Sequence, residues 1–134
     1  MELLIVVSII LIIATIAIPS LLRSRQAANE TAAVANMRTI ETAEMSYSSS
    51  NQNFYATVSQ LVGVALLDSS LTATKSGYNY TINVSPDGLN YTAFATASGP
   101  TMGRFDYYAV PDFVIRFSTD SSRAPTGLNG QPVQ

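Results

Sequence analysis

ELLIVVSIILIIATIAIPSLL, residues 2–22, is the stretch whose reading decides how this chain folds. From Leu3 to Leu22 no side chain ionises. A helix over that span, at ~1.5 Å per residue, is roughly 30 Å long and matches the hydrocarbon thickness of a bilayer. Ser8 and Thr15 are the only polar side chains before Ser20. Each can return a hydrogen bond to the backbone of its own helix, so immersing them costs little.

Glu2 and Pro19 depart from this pattern. A carboxylate deep in hydrocarbon costs about 2.5 to 3.5 kcal/mol unless it finds a cation or the interface, so Glu2 calls for a partner. Pro19 has no N–H to offer the carbonyl of Thr15, and its ring predicts a bend over residues 15–18. A simple tether needs neither feature, although a plain anchor for an exported domain stays open as an alternative. A cleaved secretory signal fits less well. Such signals begin with Lys or Arg and end at a small-residue site, whereas here the first charge is Glu2 and residues 14–19 offer no clear A-x-A site.

Outward from this stretch the chain changes character. Every other ionisable residue lies beyond it, and the net charge of 134 residues is only -2. Arg23, Arg25, Arg38, Lys75, Arg104, Arg116 and Arg123 are scattered, which argues against nucleic acid as the main partner. The chain has no cysteine and no histidine. That removes disulfides, thiolate nucleophiles, Cys-based metal sites and the commonest general base, and argues against most enzyme classes. Either redox compartment suits such a chain.

The run Glu2-Leu3-Leu4-Ile5-Val6-Val7-Ser8-Ile9-Ile10, followed by residues 14–19 ending in Pro19, resembles the N-terminus of type IV pilins and pseudopilins, type IVa-like major pilins in particular. The motif covers about the first fifth of the chain, and helix plus head resemble the whole pilin plan. In that family an aromatic residue and a short Thr-Leu-Ile-like run precede the glutamate, which Glu2 matches, and Pro19 matches the helix-breaking proline. Here Met1 stands where the last of those residues belongs, so it is either a starting methionine or the edge of a truncated chain. Leu11 stands where relatives often carry glycine, which leaves open the length of any unwound segment before Pro19. Arg23 and Arg25 would by the positive-inside rule hold the head in the cytoplasm. The family has the opposite arrangement, set by a basic leader.

The resemblance implies an assembly function for Glu2, Leu3, Leu4, Val6, Val7, Ile10 and Pro19. Glu2 would meet the N-terminal amine of an adjacent subunit. It further implies a prepilin peptidase, N-methylation of the first mature residue, an assembly machinery, storage in the bacterial inner membrane, and a helical polymer of identical subunits on the cell surface that supports adhesion or twitching motility. A pseudopilin of a type II-like secretion system and a membrane-tethered binding or enzyme domain are the competing readings. No catalytic residue, cofactor site or metal site is expected.

Beyond Pro19 the helix is predicted to continue to about Tyr47, with Ala33, Met37, Ile40, Ala43 and Tyr47 at helical spacing. Arg38, Glu41 and Glu44 are read as a solvated face, with Arg38 and Glu41 close enough to pair weakly. Ser48, Ser49, Ser50, Asn51 and Asn53 compete for the backbone and should end the helix. A short helix around Val58 to Leu67 follows. From Gly77 the period becomes two, predicting strands at Tyr78 to Val84, Asn90 to Ala97, Arg104 to Val110 and Phe113 to Phe117, with turns at Ser85-Pro86-Asp87-Gly88 and Pro111-Asp112. The expected fold is α+β: a long N-terminal helix, with a filament-core half (1–22) and an amphipathic half (23–48), packed on an antiparallel sheet of about four strands in a head spanning 49–134. The tail from Ser118 is expected as a surface loop or terminal strap. Strand-periodic aromatics are read as core against the helix, with an electron-conducting stripe as the alternative.

Asp106, Asp112 and Asp120 are candidates for a calcium site, as some pseudopilins bind one in this part of the head, but their spacing fits no calcium-loop signature, so turn capping and solvation are expected. Asn29, Asn79, Asn83 and Asn90 each begin an N-glycosylation pattern, and Ser48 to Ser50, Ser121 and Ser122 are possible O-linked sites. No nucleophile–base pair or phosphate-binding loop is legible.

Overall fold

Helix-forming residues run without a glycine from Glu2 to Ser50, and in the computed structural model they form one 49-residue helix, α1 (Glu2–Ser50), roughly 75 Å long at ~1.5 Å per residue. The structure describes residues 1–118 and 130–133. Pro19 lies inside α1 without ending it, and no segment around Leu11 unwinds. The helix outlasts its predicted end by one turn fraction because the serines bond back into it. Ser49 Oγ and Ser50 Oγ both donate to the Ser46 carbonyl, at 2.9 and 3.2 Å. Asn51 then caps it, donating from Nδ2 to the Tyr47 carbonyl at 2.9 Å, and Gln52 and Asn53 turn the chain with positive φ.

The connection to the sheet holds a short helix, α2 (Val58–Gly63), and a 3-10 turn (Ser69–Thr72). A reciprocal capping box fixes the start of α2: Thr57 N donates to Gln60 Oε1 at 2.8 Å, and Gln60 N donates to Thr57 Oγ1 at 3.4 Å. The predicted continuation to Leu67 fails because Ala65 takes φ 58° and ends the helical path.

Five strands follow in a meander, β1 (Tyr78–Val84), β2 (Tyr91–Ala97), β3 (Tyr107–Ala109), β4 (Arg116–Phe117) and β5 (Gln131–Pro132), all antiparallel and ordered in space as in sequence. The turn between β1 and β2 uses Gly88 at φ 72°, where its N–H donates to the Ser85 carbonyl at 2.9 Å. Phe113, expected in a strand, sits at φ 58° in the β3–β4 connection, which shortens β4 to two residues. The tail contributes the fifth strand, pairing Gln131 and Pro132 with Phe117 and Arg116.

The core lies between the second half of α1 and one face of the sheet. Ala33, Met37, Ile40 and Ala43 from the helix meet Tyr78, Tyr80 and Ile82 of β1, Tyr91, Ala93 and Ala95 of β2, and Tyr107 and Ala109 of β3. The aromatic rings pack on one another as core: Tyr55–Tyr91 centroids are 4.7 Å apart, Tyr78–Tyr107 6.0 Å and Phe105–Phe117 5.1 Å.

Candidate assembly surface

The first half of α1 has no partner among the described residues. From Leu3 to Leu22 the residues are exposed on every face, Ala14 alone being half-covered, with Leu3 at 77%, Ile10 at 60% and Ile16 at 72% exposure. A helix apolar all round is one that lipid or protein must cover. This segment is long and apolar enough to cross a membrane. Its two early hydroxyls are satisfied internally: Ser8 Oγ donates to the Leu4 carbonyl and Thr15 Oγ1 to the Ile12 carbonyl, both at 2.7 Å.

All seven residues picked for assembly lie on this free stem. Glu2 stands exposed in the first turn, where the helix N-terminus, carrying its unpaired N–H groups, favours a negative charge. Leu3, Val6, Val7 and Ile10, spaced i, i+3, i+4 and i+7, share one face of the helix, with Leu4 at its edge, and all are exposed. Pro19 is exposed near the C-terminal end of the stem.

Contact with the head begins at Gln26, whose Nε2 donates to the Pro100 carbonyl at 3.1 Å. Asn29 Nδ2 donates to the Met102 carbonyl at 2.8 Å, so this sequon asparagine is already engaged. Glu30, 7% exposed, is the main clamp: Oε1 accepts from Arg104 N at 2.8 Å and Arg104 Nε at 3.2 Å, while Oε2 accepts from Arg104 Nη2 at 3.0 Å. Asn36 Nδ2 donates to Tyr80 Oη at 2.9 Å. Together these bonds stitch the second half of α1 to the head.

The solvated-face reading of the helix acids is overturned. Glu41 is 6% exposed and Glu44 fully buried, and Arg38 forms no ion pair with Glu41. The reason is geometric: Glu41 follows Met37 by four residues and Glu44 follows Ile40 by four, which places both on the stripe that faces the sheet. Glu44 Oε2 accepts from Ala56 N at 3.1 Å. Burial, opposed only by that hydrogen bond, raises the Glu44 carboxyl to about 7. Burial first, then the charge of Asp112, raises Glu41 to about 7 against the pull of Arg38.

Asp106 and Asp112, two of the three candidate calcium ligands, are engaged with separate partners. Asp106 is buried, contrary to expectation, and its Oδ1 accepts from Ala97 N at 2.9 Å. Asp112 pairs with Arg116 Nη2 at 2.5 Å and caps Val114 N at 3.0 Å. Asp120, Ser121 and Ser122 lie outside the described residues. Among the described residues no three acid or histidine side chains gather as metal ligands. Asn79 and Asn83 are exposed on the outer face of β1, Asn90 is exposed before β2, and Ser49 and Ser50 are exposed at the end of α1.

No family model matches this chain, and neither the curated proteins nor the solved structures compared with it contain a match.

Proposed function

We propose that this chain is the structural subunit of a type IV pilin-like filament that polymerises through residues 2–22. The observation that carries this reading is the division of α1: its second half is covered by the head, while its first half, apolar on all sides, is left exposed among the described residues. In this reading the inner membrane stores the subunit by its stem. Assembly moves the stem into a bundle of the same segments from neighbouring copies. Lipid is as apolar as leucine, so that transfer gains little hydrophobic free energy and a motor must drive it. Once outside, return to water would expose more than a dozen large apolar side chains at ~1.5 to 3 kcal/mol for each when fully exposed, and the polymer does not dissolve. Glu2 sets the stagger by meeting the terminal amine of an adjacent copy. Adhesion or twitching motility is the surface function that the filament would support.

Shearing cells that carry the parent gene and imaging the released material tests this. A helical fibre whose axis is built from residues 2–22 is the expected result. Material recovered only as detergent-bound monomer, or a fibre with its stems splayed apart, overturns the proposal.

A further inference from the structure

Among the described residues, Glu41 Oε1, Glu44 Oε1 and Tyr91 Oη are buried in the head without a hydrogen-bond partner. Tyr91 is 2% exposed and Glu44 fully buried. They belong to one neighbourhood, because the charges of Glu41 and Glu44 both act on the Tyr91 hydroxyl and push its titration upward, after burial itself. A buried carboxylate oxygen with no donor is costly, whereas a protonated carboxyl carries its own donor and needs only an acceptor. None of the three atoms bonds another, so protonation acts here by removing buried charge. The chemistry of the cluster therefore calls for protons, not for a metal, since each carboxylate would need further ligands that the surrounding apolar core does not supply.

We propose that Glu41, Glu44 and Tyr91 form a buried proton-binding site that locks the head onto α1 while the two carboxyls are protonated and loosens it when they ionise. Every element packed on the site bears on this. From α1 itself, Arg38 favours ionisation of Glu41 without pairing with it. The β3–β4 connection presents Asp112, whose charge opposes ionisation of Glu41 and is held in place by Arg116 of β4. β2 supplies Tyr91, and the segment before α2 supplies Tyr55, stacked on Tyr91 at 4.7 Å, and the N–H of Ala56 on Glu44. Ionisation would bury like charges between these elements and set them against the packing of α1 on the head.

The direction with pH follows. Both carboxyls titrate higher in the folded chain, about 7, than in the unfolded chain, near 4.5. Their stabilising contribution is full below the unfolded value and is lost as pH rises through about 7. The site works on the subunit alone, whether or not it polymerises.

The full chain in detergent micelles serves for the test. Amide exchange at Ala56, corrected for its intrinsic pH dependence, should quicken roughly tenfold or more between about pH 6 and about pH 8. The infrared carbonyl band of protonated carboxyls, assigned by labelled glutamate, should vanish over the same interval. The double variant Glu41→Gln with Glu44→Gln, a mimic of the protonated pair, should abolish the pH dependence. A flat exchange profile in the parent chain, or a protonated-carboxyl band absent at about pH 6, overturns the proposal without any variant having to fold. Tyr91→Phe keeps the ring and removes the hydroxyl, and should shift the infrared transition; an unmoved transition removes Tyr91 from the site.

Discussion

If the stem becomes the interior of a bundle, every one of its faces must matter, whereas a two-helix contact would leave one face silent. Leu3 and Ile10 are seven residues apart and share a face; Ile5 and Ile12 share the opposite one. Their exposures in the isolated subunit are 77% and 60% for the first pair and 62% and 63% for the second. Truncation of leucine or isoleucine to alanine removes about three methylenes at ~0.8 kcal/mol each when buried. Scaled by the area still free to be covered, that is ~1.5 to 2 kcal/mol per residue, or about 3 kcal/mol per pair, before any cavity left behind adds to it. The subunit concentration in equilibrium with fibres in detergent-free buffer should therefore rise roughly a hundredfold for Leu3→Ala with Ile10→Ala, and by a similar factor for Ile5→Ala with Ile12→Ala. Membrane insertion before assembly should persist, because alanine leaves the span uncharged. Sedimentation of fibres, with quantitation of the supernatant subunit, reads both. A full effect from one pair and none from the other would refute burial of the stem on all sides.

Where α1 meets the head, Glu30→Ala should lower the unfolding free energy from denaturant titration by about 1 to 3 kcal/mol, mainly by stranding the Arg104 N–H, since the exposed guanidinium is well screened. Glu30→Gln should recover most of the loss if that N–H dominates. Gly103→Ala would bring a new Cβ to 1.9 Å from Tyr78 Oη and 2.6 Å from its Cζ, against a fully buried ring. Thermal melting should show a loss of at least ~1 to 3 kcal/mol, and Tyr78→Phe in the same chain should not rescue it, because Cζ still collides.

The elements legible in the sequence are those where one residue pattern meets one physical demand. Alternation at Tyr78, Tyr80 and Ile82 marked β1, and the Ser85–Gly88 turn marked its partner, because both signals are local. The stem was legible for the same reason: a bilayer-length run without charge has few other uses. What escaped depends on distant partners. Glu41 and Glu44 look like surface acids until the sheet is placed against their stripe; their i+4 spacing from Met37 and Ile40 was the available signal, outweighed by their charge. β5 escaped because two residues carry no period of their own and become a strand only by pairing with β4. Glu30 escaped likewise, since its partner Arg104 lies 74 residues away.

In the proposed filament one helix would carry two associations with opposite chemistry, and its length would keep them apart. Leu22 and Glu41 are separated by 19 positions, ~28 Å along the axis, several times the ~8 Å over which salt screens exposed charge at physiological strength. Ionising the carboxyls against the sheet would not reach the stem electrostatically, and the stem holds no group between Leu3 and Leu22 that titrates. In the proposed filament the apolar cohesion from Leu3 to Leu22 is therefore indifferent to pH while the outer heads respond to it. The surface of such a fibre could loosen and reclose with ambient acidity without any subunit leaving the polymer.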